Sequence, residues 1–136
     1  MVPMGFRSDP AEWKDSRHRL GADGEGIARE FLEERGWSIL AQRFRMGRTE
    51  LDLVARKNQI VAFVEVKTRM TTRFGSPLEA VPWHKQRDLG RVAQAWIDRK
   101  GVSTDIYRFD VIGITLLSGG RRRIEHVEDA FRLVCR

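Results

Sequence analysis

One cysteine, Cys135, in 136 residues excludes an internal disulfide. With that thiol and three scattered histidines, His18, His84 and His126, no structural zinc site assembles from neighbouring positions. Long apolar runs are lacking too. Ile60 to Val64 and Val111 to Leu117 are the longest, far short of the roughly 18 residues that a membrane-spanning helix needs. The first ten residues hold Arg7, Asp9 and two prolines but no apolar stretch of signal-peptide length. The expectation is therefore a cytoplasmic protein with no membrane partner.

The residues present suffice for one core. Apolar residues make up 41% and charged residues 32% of a length that a single domain accommodates. Lys and Arg number 25 against 19 Asp and Glu, and twenty of the cations are arginine, for a net charge of +6. That surplus suggests an anionic partner, nucleic acid first, although the codon usage of a GC-rich genome also yields arginine-rich chains. Composition leaves homodimerisation open.

Residues 1–15 show no period and carry Pro3 and Pro10, which reads as an N-terminal extension, with one domain over 16–136. From Ser16 to Gly36, Leu20, Ile27, Ala28, Phe31 and Leu32 recur at helical spacing, and Gly36 suits a left-handed cap. Gly21, Gly24 and Gly26 inside this helix each cost about 0.5–1 kcal/mol relative to alanine, so close backbone approach is the expected reason for them. Trp37 to Phe44 reads as a strand and Arg45 to Arg48 as a basic connection. Glu50 to Arg56 alternates, with Leu51, Leu53 and Ala55 on one face of a half-buried strand. Ile60 to Arg69 follows as its hairpin partner. After a loop from Met70 to Pro82, Leu89, Val92, Ala93, Trp96 and Ile97 mark an amphipathic helix ending at Gly101. Ile106 to Leu117 and Arg122 to Val127 are strands around a turn, and Glu128 to Cys135 reads as a brief closing helix. The order α-β-β-β-α-β-β-α implies an α/β fold with a mixed five-stranded sheet flanked by helices.

Acid and base interrupt the otherwise hydrophobic strand Phe63-Val64-Glu65-Val66-Lys67-Thr68-Arg69. Alternation puts Glu65, Lys67 and Arg69 on one face. In an antiparallel hairpin, facing residue numbers have a constant sum. A two-residue turn at 57–58 or 58–59 makes it odd and brings Glu50 and Asp52 to the face of Glu65 and Lys67, whereas a three-residue turn without a bulge separates them. Carboxylates grouped with a lysine suit Mg²⁺ or Mn²⁺, which bind hard oxygens and activate water, while the lysine stabilises charge on a phosphoryl group in transit. Glu25 reaches the cluster if its neighbouring glycines let the first helix approach. A salt-bridge ladder on an exposed sheet face is the plainer alternative. Arg43, Arg45, Arg69, Arg73 and Lys85 flank the site and are candidate phosphate contacts, whereas Arg121 to Arg123 read as a solvated hairpin tip. Of the four tryptophans, Trp37 and Trp96 read as core, and Trp83 is the candidate for exposure and base stacking. His84 and His126 read as hydrogen-bonded structural residues.

These residues carry a resemblance. Gly21, Gly24-Glu25, Ala28, Glu50-Leu51-Asp52-Leu53, Phe63-Val64-Glu65-Val66-Lys67-x-Arg69, Phe74-Gly75, Lys85, Arg108-Phe109-Asp110-Val111, His126 and Ala130-Phe131 resemble the ordered blocks of the YraN-like family. That family is similar in turn to the Holliday-junction resolvases of the restriction-endonuclease-like, PD-(D/E)xK superfamily. The resemblance implies a restriction-endonuclease-like core, metal ligation by Asp52 and Glu65, assistance by Lys67 and a supporting carboxylate at Glu25. Two positions depart from the family pattern: Thr49 stands where glycine is usual, and Arg43 where asparagine is common. The resulting expectation is an Mg²⁺- or Mn²⁺-dependent endonuclease acting on DNA, plausibly branched or structured. A non-catalytic nucleic-acid-binding module of the same fold is the alternative, and a protein-interaction domain with incidental charge is the third.

Overall fold

Apolar residues on both pleat faces of the central strands require a layer on each side, and the protein supplies one helix to each. A computed structural model describes residues 24–70 and 81–132. Helix α1 covers residues 24–34 within that span. Strands β1 (Ser38–Met46), β2 (Thr49–Lys57) and β3 (Ile60–Arg69) follow, then α2 (Trp83–Lys100), β4 (Ile106–Leu116) and β5 (Arg122–Phe131). The sheet runs in the order β1-β2-β3-β4-β5. Only β3 and β4, joined through α2, are parallel; the other neighbours are antiparallel. This is the mixed α/β sheet that the sequence order implies. Residues 1–15, Ser16, Gly21, Arg73, Phe74-Gly75 and Cys135 lie outside the described residues.

Helix α1 ends as Gly36 permits. Its φ is +91°, the Gly36 N–H reaches Glu33 O at 3.1 Å, and the Trp37 N–H reaches Leu32 O at 3.0 Å. This pair is a Schellman closure, which satisfies two end carbonyls and turns the chain straight into β1. Ala28, Leu32 and Trp37 pack there with Leu53, Ala62, Val64 and Ile112. On the opposite face, Leu89, Val92, Ala93 and Trp96 of α2 pack with Val54, Val61, Phe63, Phe109 and Val111. Because β2 and β3 are covered on both sides, β2 is not the half-buried strand that its alternation suggested.

Two further expectations are corrected. Leu51 does not share a face with Leu53 and Ala55: it joins the α2 cluster while they join the α1 cluster. The slip falls at Asp52, and the flanking pairs of the β1 ladder set it opposite Arg43, whose φ is a left-handed +57°. That conformation suits asparagine far better than arginine. Thr49 imposes no comparable change, since Gly47 at φ +64° makes the turn and Thr49 pairs with Met46. At the other end, residues Glu128 to Phe131 are strand, not helix. Asp110, fully buried, explains it: the carboxylate accepts the Asp129 N–H at 3.0 Å and contacts His126 Nε2 at 2.7 Å. Asp129 is thereby held at φ +50° in a bulge, and β5 continues until Phe131 stacks on Phe109 at 4.6 Å. Arg108 grips the same carboxylate at 2.9 and 3.1 Å. Burial pushes the Asp110 carboxyl up, but His126, the Asp129 N–H and Arg108 together bring it below the ordinary aspartate value.

The glycines in α1 divide. A side chain at Gly24 would collide with Thr68 Oγ1 and lie 3.1 Å from Thr68 Cβ, whereas Gly26 has nothing within 4 Å. Close approach therefore accounts for Gly24 and not for Gly26. Gly24→Ala should cost about 1–3 kcal/mol by overpacking, and Thr68→Gly in the same chain should recover most of it. Urea unfolding of the two singles and the double measures this; equal losses in the presence and absence of the Thr68 side chain would refute the contact.

Candidate active site

The β2–β3 ladder has the odd sum: Lys57 pairs with Ile60 across a two-residue turn at Asn58-Gln59, and pairing continues to Leu53 and Val64. There it stops. The next cross-strand position belongs to Asp52 and Glu65, and the Asp52 side chain replaces a backbone partner, with the Val66 N–H donating to its Oδ2 at 2.7 Å. The strands part here because a carboxylate has entered the ladder. Beyond the opening, β3 stays in register with β4 as far as Arg69 and Thr115, so its side-chain alternation is intact.

Glu25, Glu50 and Asp52 each offer an oxygen, all within 4.8 Å of one another. Glu25 comes from α1, which Gly24 lets approach Thr68 of β3. Glu65 lies against Asp52 from the α2 side and is 5% exposed. Its Oε2 is 3.3 Å from Lys67 Nζ and 3.7 Å from Lys85 Nζ. Its Oε1 is buried and has no partner while both carboxylates are ionised, whereas a proton on Asp52 is shared with Glu65 and adds to the rise of the Asp52 carboxyl. Glu25, Glu50 and Asp52 gather on the α1 side and Glu65 with Lys67 on the α2 side, in contact through Asp52 and Glu65. The expectation of one shared face is thereby corrected: the β2 alternation slips between Leu51 and Leu53, and Lys85 joins Glu65 from α2. The Glu50-x-Asp52 spacing was the available signal for Glu50. Nothing in the sequence linked Lys85, some 20 positions on, to Glu65.

The candidate phosphate contacts separate by their partners. Arg43 Nε pairs with Glu25 Oε1 at 2.8 Å and Arg45 Nη2 with Glu50 Oε2 at 3.1 Å, so both are bound to the acidic cluster itself. Lys85 pairs with Glu65. Arg69, by contrast, has Nε and Nη2 buried without a partner. Trp83 is 63% exposed with the Arg87 guanidinium 5.2 Å from its ring centroid, while Trp37 and Trp96 are buried as their positions implied.

Electrostatics show how crowded the cluster is. Burial, then the nearby Glu65 charge, push the Asp52 carboxyl up to about 8, with the Val66 N–H pulling back and Glu25 adding to the rise. Two adjacent carboxylates in a partly dry opening resist ionising together unless a cation sits between them. Carboxylate oxygens grouped this closely are the donor type that a hard divalent cation takes. The oxygens close enough to share one ion are those of Glu25, Glu50 and Asp52, with Glu65 beside Asp52.

A carboxyl whose folded value is raised contributes stability that is complete below its unfolded value near 4 and is lost as pH rises through about 8. In EDTA, melting temperature should therefore fall between pH 5 and 8 by a component worth roughly 1–3 kcal/mol, and Asp52→Asn should remove that component. Mn²⁺ should raise the melting temperature more at pH 8 than at pH 5. Superimposable pH profiles for the wild type and Asp52→Asn would contradict the crowding of these carboxyls.

Comparison with known proteins places the chain among relatives of similar length. The model of the "Uncharacterised protein family UPF0102" matches residues 24–114. A UPF0102 protein of Geobacter sulfurreducens is 46% identical over 114 residues, covering 84% of this chain and 89% of that protein. One from Alkaliphilus metalliredigens is 41% identical over 82% of this chain and 96% of its own length. A third, from Nocardia farcinica, is 40% identical over 85% and 91%. The family match spans β1 to most of β4 and contains Glu25, Glu50, Asp52, Glu65, Lys67, Arg69 and Lys85. Together these matches make the chain a member of the UPF0102 family.

Proposed function

We propose that the protein is a divalent-metal-dependent nuclease that hydrolyses phosphodiester bonds in DNA, with branched or otherwise structured DNA as its substrate. The observation that carries this reading is the opening of the β2–β3 ladder, which sets Asp52 against Glu65 and places Lys67 Nζ 3.3 Å from Glu65 Oε2. A bound Mg²⁺ or Mn²⁺ would polarise the phosphoryl group and supply a water of lowered pKa. Asp52 would offer it Oδ1, because Oδ2 is held by the Val66 N–H. Glu65 would offer the unpartnered Oε1 while its other oxygen keeps Lys67 oriented. Lys67 would then donate to a phosphoryl oxygen and offset the charge that develops there. The carboxylate of Glu25 supports the cluster from α1. Arg43 and Arg45 would exchange their carboxylate partners for phosphates once a cation neutralises the acidic cluster, with Lys85, Arg69 and Arg73 extending the contact. The resemblance to the Holliday-junction resolvases supports the choice of structured DNA.

A non-catalytic nucleic-acid-binding module is the second reading, favoured by the two ammonium groups that already flank Glu65. A panel of duplex, single-stranded, flap and four-way DNA, incubated with Mg²⁺ or Mn²⁺, separates the two. Cleavage should appear with a metal and vanish in Asp52→Ala. Lys67→Ala should bind the ion yet slow the chemical step by about 10²–10³-fold. Cleavage that survives Asp52→Ala would remove the assignment to this site, and salt-dependent binding with no cleavage under any metal would select the binding module.

A further inference from the structure

Among the described residues, five buried side-chain atoms lack a hydrogen-bond partner: Glu65 Oε1, Arg69 Nε, Arg69 Nη2, Trp96 Nε1 and Thr115 Oγ1. Their distribution is not scattered. Arg69 and Thr115 face each other across the parallel β3–β4 pair. Both point to the α2 face: Arg69 continues the alternation of Phe63, Glu65 and Lys67, and Thr115 continues that of Phe109 and Val111. Thr115 pairs in turn with Arg123 of β5, whose side chain shares that face. Arginine, hydroxyl and arginine thus form a row across three strands. The adjoining row is Lys67, Gly113 and Glu125, in which the glycine leaves the centre without a side chain.

A guanidinium edge shielded from water without an acceptor is costly in an isolated protein, and so is the equally unpartnered hydroxyl, 1% exposed, of its strand partner Thr115. One ligand satisfies both. A phosphate accepts two parallel N–H bonds from the Nε and Nη2 edge of arginine and one O–H bond from threonine. Glu65 and Asp52 are no substitute acceptors, because Glu65 stands four residues away on β3, about 13 Å along the strand.

We propose that Arg69 and Thr115, with Arg123 at the rim, form a phosphate-binding subsite distinct from the carboxylate cluster, and that its occupant is a backbone phosphate of the polynucleotide other than the one at the reaction centre. The identity of that occupant rests on the nuclease reading; the anion site does not. The arrangement divides the face, with the acidic cluster and Lys67 at the opening of β2 and β3, and a dedicated phosphate grip further along β3. Arg123, which reads in sequence as part of a solvated hairpin tip, gains a role from its register.

The test measures anion binding in EDTA at low ionic strength, using inorganic phosphate, a dithymidine phosphodiester and a single-stranded oligonucleotide as probes. Wild-type protein should bind phosphate, with the Arg69 Nε resonance shifting on titration. Arg69→Met should weaken binding at least tenfold, and the near-isosteric Thr115→Val roughly threefold to tenfold. Both variants should melt at or above the wild-type temperature without anion, since each removes an unsatisfied buried polar group. For the oligonucleotide, Arg69→Met should lower the slope of log K against log salt by about one. Binding of the diester assigns the subsite to the nucleic-acid backbone, while binding of inorganic phosphate alone keeps the anion site and overturns the backbone assignment. Unchanged affinity in both Arg69→Met and Thr115→Val, or an Arg69 Nε resonance indifferent to saturating phosphate, overturns the subsite itself. Should Arg69→Met fail to fold, Thr115→Val and the wild-type resonance decide. Asp52→Asn serves as the control for the separate nuclease reading: it should bind each probe at least as tightly as wild type, and loss of cleavage there leaves the subsite standing.

Discussion

A sheet covered on both faces has no room for charge in its middle, and its carboxylates can only gather where the ladder opens. The 2.7 Å hydrogen bond from the Val66 N–H to Asp52 Oδ2 is that opening. It substitutes a side chain for a backbone carbonyl, satisfies the donor that the parted strands would otherwise orphan, and fixes one oxygen of Asp52. The position of Glu65 follows from the same event, since it faces Asp52 across the widened gap. Glu25 depends on it less directly, through the absence of a side chain at Gly24 that lets α1 lie close to Thr68.

Charge is arranged around this opening in a graded way. On the α1 side, Glu25, Glu50 and Asp52 converge, and Arg43 and Arg45 neutralise two of them. On the α2 side, Glu65 meets two lysines. Further along β3 the cations continue in Arg69 and across the sheet in Arg123, with Glu125 in the adjoining row, that of Lys67. A chain of phosphates following β3 would meet cation-seeking oxygens first and phosphate-seeking nitrogens next. The other buried acid, Asp110, takes no part in this. Arg108, His126 and the Asp129 N–H saturate it, and its work is to carry β5 past a bulge.

Much of this was legible in the residues. The hairpin parity, the span of β3, the amphipathic stripe of α2 and the burial of Trp37 and Trp96 follow from period and turn length, which are local. What stayed hidden depends on contacts between distant segments. Leu51 changes face where β2 passes the left-handed backbone of Arg43 on a different strand. Residues 128–131 carry no local mark of a strand, and the buried acid that draws them into the sheet, Asp110, lies some 19 positions earlier. Gly24 and Gly26 look alike in sequence, yet Thr68 stands over only the first. Thr115 resembles any strand threonine until its neighbour across the parallel pair is known to be Arg69.

The proposed divalent cation would lie in the gap between β2 and β3, held by Asp52 and Glu65. Anomalous diffraction from crystals grown with Mn²⁺ tests this placement most directly. The account predicts a single dominant peak within about 2.0–2.4 Å of an oxygen of each of these two carboxylates, on the side of Glu25. A fully occupied Mn²⁺ elsewhere on the chain, or carboxylates that keep their present hydrogen bonds and ion pairs with no peak between them at saturating metal, would contradict it.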